Sequence, residues 1–249
     1  MRKVTEVAIG ILLDKTGRFL MASRPEGKPY AGWWEFPGGK LEAGETVLQA
    51  LAREYAEELA VAVREATPWF VFEREYPHAH VRLHCCRITD WEGEPRPQEG
   101  QVYRWFDGLQ QAQQERLLPM CDLVIRRLGL SERAARVRDA NAPGTTERFI
   151  RSGARVLLAD EPNEDRMRLA RALGVELIVC REAMRTTEET ENPALQDELI
   201  GVLAPEANVR GILTAARQRV PLYVPAGNDP DQDKEMLRLG AQGVYVDIG

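Results

Sequence analysis

The chain has 249 residues, enough for one large domain or two small ones. A net charge of −6 argues against a broad nucleic-acid-binding surface, so no direct nucleic-acid partner is expected. Four cysteines, two of them adjacent at Cys85-Cys86, lack metal or disulfide spacing, and no run approaches the roughly 18 apolar residues of a membrane span.

Met1-Arg2-Lys3-Val4-Thr5 leads into a strand without a secretory core, so a cytoplasmic protein with reduced thiols is expected. The next informative segment runs from Trp33 to Val61. Trp34-Glu35-Phe36 reads as a strand broken by Pro37-Gly38-Gly39-Lys40, where a rigid proline and permissive glycines let backbone groups approach a ligand closely. Gly44 and Glu45 then turn the chain into a helix. Thr46 with Gln49 predicts a capping box and a helix ending near Leu59, with Leu48, Leu51, Ala52, Tyr55 and Leu59 as its apolar stripe.

At about 100° per residue, Glu54, Glu57 and Glu58 fall within an arc of roughly 100° on a neighbouring helix face. Like charges at that spacing repel. Solvent alone can offset the repulsion, as it does on many exposed faces. A cation such as Mg²⁺, which takes oxygen ligands and sits between carboxylates and substrate phosphates, offsets it as well. Next to a Pro-Gly-Gly turn, that second reading makes the segment a site for a divalent metal and a diphosphate.

Further along, Tyr76-Pro77-His78-Ala79-His80-Val81-Arg82-Leu83-His84 alternates like a half-exposed strand. Its histidines invite a zinc reading, but without matching acid or cysteine spacing the plain strand is preferred. Trp33, Trp34, Trp69, Trp91 and Trp105 read as rings packed on sheets, Trp33 also bordering the substrate loop. After Leu130, Ser131-Glu132-Arg133-Ala134-Ala135-Arg136 reads as helical and Asn141-Ala142-Pro143-Gly144-Thr145-Thr146 as a linker. A strand at Ala154–Ala159, a helix near Glu164–Leu173 and a strand at Val175–Cys180 follow. Val220–Val224, Asp231–Leu239 and Gly243–Ile248 repeat the order, which predicts parallel βαβ units. The charge-rich stretch from Glu182 to Glu206 reads as a solvated loop or helix face.

Gly39, five residues, Glu45, seven residues and Arg53-Glu54-Tyr55-Ala56-Glu57-Glu58-Leu59-Ala60-Val61 resembles the Nudix box, a pattern that spans 23 residues here. Two positions depart from it: Tyr55 stands where an aliphatic residue is usual and Ala60 where glycine is usual. Tyr55 faces the apolar stripe and should pack. Ala60 costs roughly 1–2 kcal/mol if it must adopt the left-handed conformation that glycine takes after a helix. Neither change removes a ligand.

Residues 1–130 are most similar to MutT-type 8-oxo-dGTP diphosphatases, through Val7-Ala8-Ile9-Gly10-Ile11, Ser23-Arg24, Trp34-Glu35-Phe36-Pro37-Gly38-Gly39-Lys40, Trp91-Glu92-Gly93-Glu94-Pro95 and Glu99-Gly100-Gln101. The resemblance implies a Nudix α/β/α sandwich with a mixed sheet. It also implies Mg²⁺-dependent hydrolysis of a nucleoside triphosphate, foremost 8-oxo-dGTP to 8-oxo-dGMP and pyrophosphate. Such an enzyme serves DNA replication and repair by sanitising the nucleotide pool, and Mn²⁺ is a natural substitute metal. On this likeness Glu54, Glu57, Glu58, Glu99 and the Gly38 carbonyl hold metal, Glu54 or Glu99 is the base, and Arg53 orients a carboxylate. Arg24 and Phe36 meet the purine, while Glu35, Pro37, Gly38 and Lys40 complete the substrate site. Where the family places a base-reading asparagine, this chain has Cys121, followed by Asp122. A thiol cannot reproduce a two-pronged amide contact.

Two patches, Gly153 through Gly174 and Val220 through Val244, resemble a thiamine phosphate synthase-like domain. An eight-stranded barrel usually needs at least about 200 residues, so an incomplete, TIM-barrel-like βα domain is expected at 151–249, after a Nudix domain at 1–130 and a linker at 131–150. The expected partner is a nucleoside triphosphate. Two alternatives stay open: a Nudix hydrolase of another nucleoside diphosphate derivative such as ADP-ribose, and a non-catalytic regulatory module.

Overall fold

The computed structural model describes residues 3–75, 79–130, 132–159, 163–174, 176–182, 200–203, 222–226, 229–239 and 241–248. The chain divides into two compact units, Met1–Gly129 and Leu130–Gly249.

The first unit holds two sheets. β1 (Val4–Leu12), β4 (Gly38–Lys40), β5 (Ala62–Glu75) and β6 (His80–Glu92) form a mixed sheet in the order β4-β1-β6-β5, with β1 and β6 parallel and the other pairs antiparallel. β2 (Phe19–Ser23), β3 (Trp34–Glu35) and β7 (Tyr103–Phe106) form an antiparallel sheet in the order β3-β2-β7. Alternation along β6 explains the layering, because successive side chains of a strand point to opposite faces. Leu83 and Cys85 join one core with Phe36, Phe70, Phe72 and residues of α3 (Pro119–Leu128). Cys86 and Ile88 join the other, with Leu51, Tyr55 and Leu59 of α1 (Val47–Leu59). A short α2 (Gly108–Ala112) precedes α3. The result is an α/β fold with a mixed sheet.

α1 begins at the predicted capping box, with both Thr46 and Gln49 side chains engaged. Its buried face carries Ala50, Leu51, Tyr55 and Leu59, whereas Leu48, in the first turn, is 44% exposed. Ala60 ends the helix in the left-handed region (φ 55°, ψ 33°), the conformation its box position demands.

The histidine segment is a paired strand. Arg82 donates to both Glu73 and Glu6, and these acids pair with His80 and His84 respectively, so each described histidine has a carboxylate neighbour. His78 lies outside the described residues. Cys85, Cys86 and Cys121 are free and buried. Among the described residues no helix is long and apolar enough to cross a membrane.

The second unit is a ring of parallel strands with helices. β8 (Arg133–Val137), β9 (Val156–Ala159), β10 (Glu176–Glu182), β11 (Ile200–Leu203), β12 (Leu222–Pro225) and β13 (Gly243–Ile248) pair in sequence, and β13 closes back on β8. Ala134, Val156, Leu158, Tyr223 and Tyr245 share one core. Ala135, Val137, Leu157 and Ala159 share the other, with residues of α4 (Thr145–Ser152) and α5 (Glu164–Leu173). α6 (Pro230–Arg238) lies between β12 and β13 in the chain.

Two expectations change here. The stretch 131–150, read as a linker, carries β8 and α4. The helical reading of Ser131–Arg136 gives way to a strand over Arg133–Val137, because Ala134 and Ala135 are buried on opposite faces and the segment pairs with both β9 and β13. Of the charge-rich stretch from Glu182 to Glu206, Ile200–Leu203 forms β11, and 183–199 lies outside the described residues.

Candidate active site

Helix α1 and the Pro37-Gly38-Gly39 turn are pressed together. A Cβ on Gly39 would stand 2.0 Å from Glu54 Oε1, so glycine is what allows the carboxylate to lie on the turn. The Gly38 N–H donates to Glu58 Oε2 at 3.4 Å.

Arg53 organises the acids around it. Its guanidinium donates to both Glu45 oxygens at 3.0 Å, to Glu54 Oε1 at 2.8 Å, to Glu57 Oε2 at 3.3 Å and to the Lys40 carbonyl at 3.0 Å. A planar fork of donors suits such multiple acceptance. Glu45 in turn accepts from the Glu42 N–H, which fixes the turn ahead of the helix.

Glu35, Phe36, Pro37, Gly38, Glu58 and Glu99 line one cleft, together with Lys28 and Gln101. Gln101, 6% exposed, joins two of its walls. Its amide donates to the Glu58 carbonyl at 2.9 Å, while its side-chain oxygen accepts from the Glu99 N–H at 2.8 Å. The loop of Glu99 is thereby tied to the last turn of α1. Glu58 has its pKa pushed up to about 7 by burial and by nearby Glu54, Glu35 and Glu99, against the opposing Gly38 hydrogen bond. Burial also raises Glu35, opposed by Arg24.

Other expected site residues do not line this cleft. Arg24 donates to both Glu35 oxygens at 2.8 and 2.7 Å and to the Pro29 carbonyl. Glu57 is 57% exposed on its side chain, and Lys40 is exposed. Cys121, 4% exposed, belongs to the apolar core beside Phe36, where burial pushes its thiol up to about 12. Asp122 pairs with Arg126 at 2.7 Å. Neither residue lines the cleft.

The NUDIX domain family profile matches residues 3–120. Over 106 residues the chain is 38% identical to the 8-oxo-dGTP diphosphatase of Haemophilus influenzae, covering 43% of this chain and 78% of that protein.

The chain belongs to the Nudix family.

The chain is also 33% identical over 137 residues to the CTP pyrophosphohydrolase of Escherichia coli, spanning 55% of this chain and 99% of that protein. A MutT structure from work on Aliivibrio salmonicida and Vibrio cholerae shares 29% identity, with 51% of this chain and 97% of that chain covered and a TM-score of 0.45.

A hard divalent cation fits the chemistry of the Nudix donor set. Carboxylates and a backbone carbonyl are its preferred ligands, and Glu58, raised chiefly by burial, also has Glu54, Glu35 and Glu99 nearby, whose charge a cation would offset. Among the described residues, no three acidic, histidine or cysteine side chains yet converge on one point. Glu54 and Glu57 are held by Arg53, and Glu99 by Lys28 at 3.2 Å. Sequence reasoning did not single out Lys28 or Gln101 as site residues. The available signals were a turn at Pro25-Glu26-Gly27-Lys28-Pro29 and the position of Gln101 two residues after Glu99.

Proposed function

We propose that the Nudix unit is a Mg²⁺-dependent nucleoside triphosphate pyrophosphohydrolase that converts 8-oxo-dGTP to 8-oxo-dGMP and pyrophosphate. Such an activity removes a mutagenic precursor from the nucleotide pool. One observation carries the reading: through Gln101, Glu99 and Glu58 face the same cleft beside Gly38. The likeness to the Haemophilus influenzae diphosphatase supports the choice of nucleotide.

A bound divalent cation supplies charge neutralisation on the phosphates and a more acidic water. Glu54, Glu57, Glu58, Glu99 and the Gly38 carbonyl would hold it. Glu54 or Glu99 would take the proton of the attacking water, with Glu54 positioned by Arg53. Phe36 and Arg24 would meet the purine, and the exposed Lys40 would meet a phosphate.

Cys121 favours a second reading. Its thiol is buried in the core behind Phe36 and does not line the cleft, so the amide contact to a purine edge has no replacement at that position. The likeness to the Escherichia coli CTP pyrophosphohydrolase makes CTP the substrate to compare.

The test is Mg²⁺-dependent cleavage of 8-oxo-dGTP, dGTP, CTP and ADP-ribose, with products separated by chromatography and Glu54→Gln as control. Preference for 8-oxo-dGTP supports the reading. Preference for CTP or ADP-ribose overturns the nucleotide assignment, and cleavage of none overturns the enzyme reading in favour of a regulatory module. The second unit is read as a catalytically silent, thiamine phosphate synthase-like remnant that helps pack, dimerise or regulate. Thiamine phosphate synthesis by the purified protein would count against that.

A further inference from the structure

Among the described residues lining the cleft, Lys28 carries the one positive charge, against the carboxylates of Glu35, Glu58 and Glu99. A nucleoside triphosphate brings several more negative charges to the same place. Lys28 comes from the loop between β2 and β3, Glu99 from the loop between β6 and β7, and their side chains meet at 3.2 Å. Both are about half exposed, at 50% and 46%. An exposed pair of this kind is held weakly, so either partner can leave it for a stronger one.

We propose that Lys28 is a phosphate-binding residue that exchanges partners. It holds the Glu99 carboxylate while the cleft is free of substrate. It takes up the phosphate chain of the incoming nucleotide when Glu99 turns to the cation. This rests on the metal-dependent nucleotide reading above and adds a specific phosphate contact to it.

The geometry gives each side of the exchange a reason. A lysine ammonium is a point charge with three donors on a flexible stem, able to swing from one anion to another. The Glu99 main chain stays fixed through its N–H to Gln101, so only the carboxylate has to turn. Arg24 is less suited to the role, because Glu35 and the Pro29 carbonyl already occupy its guanidinium.

The test uses inorganic tripolyphosphate, which has no base to recognise, titrated calorimetrically in saturating Mg²⁺ onto the full chain. Lys28→Ala should bind it about tenfold or more weakly than the unaltered protein, the effect of losing one charge-assisted hydrogen bond. Lys28→Arg should recover most of that loss. In phosphate-free buffer, Mn²⁺ titrated with paramagnetic-resonance detection should bind Lys28→Ala more tightly, because Glu99 is no longer shared.

Equal tripolyphosphate affinity with and without Lys28, including no binding by either, overturns the proposal. So does an equal loss in Lys28→Ala and Lys28→Arg, or Mn²⁺ affinity that fails to rise in Lys28→Ala. None of these readouts depends on turnover. Failure of the nucleotide reading would instead show as absent cleavage of every nucleotide by the unaltered chain.

Discussion

The Tyr55 hydroxyl donates to the Gly10 carbonyl at 2.7 Å, and a Cβ on Gly10 would stand 2.5 Å from the Tyr55 ring. The aromatic residue at a usually aliphatic box position is therefore accommodated by a missing side chain on β1, 45 residues earlier. Gly10→Ala should destabilise the Nudix unit by about 1–3 kcal/mol through overpacking. Tyr55→Phe, which removes only the hydrogen bond, should cost about 1 kcal/mol. Urea unfolding measures both, and a neutral Gly10→Ala would show that the ring moves aside freely.

Ala60 holds a left-handed conformation at the end of α1. Replacing it with glycine removes the Cβ clash, at the cost of a more flexible unfolded chain. The expected result is a net gain of about 1 kcal/mol, read from chemical denaturation with activity unchanged.

Arg53 donates to three carboxylates and one backbone carbonyl. Lysine cannot reproduce that fork. Arg53→Lys and Arg53→Ala should both lower turnover roughly 10- to 100-fold, the usual consequence of removing a residue that orients metal ligands. Steady-state cleavage assays and circular dichroism together check that the loss is not one of folding.

Glu58 has a folded-state pKa of about 7 against an ordinary 4.5. Between those values the native protein holds more proton than the unfolded chain. Stability of the metal-free protein should therefore fall as pH rises through that window. Cation binding requires the ionised carboxylate, so Mg²⁺ affinity should climb as pH approaches 7, with up to one proton released per site at pH 6. Calorimetry in buffers of different ionisation enthalpy counts that proton, and Glu58→Gln should abolish the release and flatten the pH slope of stability.

What could be read directly from the chain was mostly local. The Thr46–Gln49 capping box, the end of α1 at Ala60 and the carboxylate arc all depend on residues within a few positions of one another, so spacing alone reveals them. The segment Arg133-Ala134-Ala135-Arg136 shows where local signals failed. Its composition favours a helix, but pairing with β13, more than a hundred residues away, makes it a strand.

By itself the sequence determined the box helix, its acids and the Pro-Gly-Gly turn they face, because short-range geometry and capping decide those features. Only the tertiary structure decided that Gln101 ties Glu99 to Glu58, that Lys28 meets Glu99 across 71 residues, that Cys121 is buried without lining the cleft, and that the described strands of the second unit close into a ring. Each of those depends on contacts between residues far apart in the chain, which form only when sheets pair and cores pack, and which leave little trace in spacing or composition.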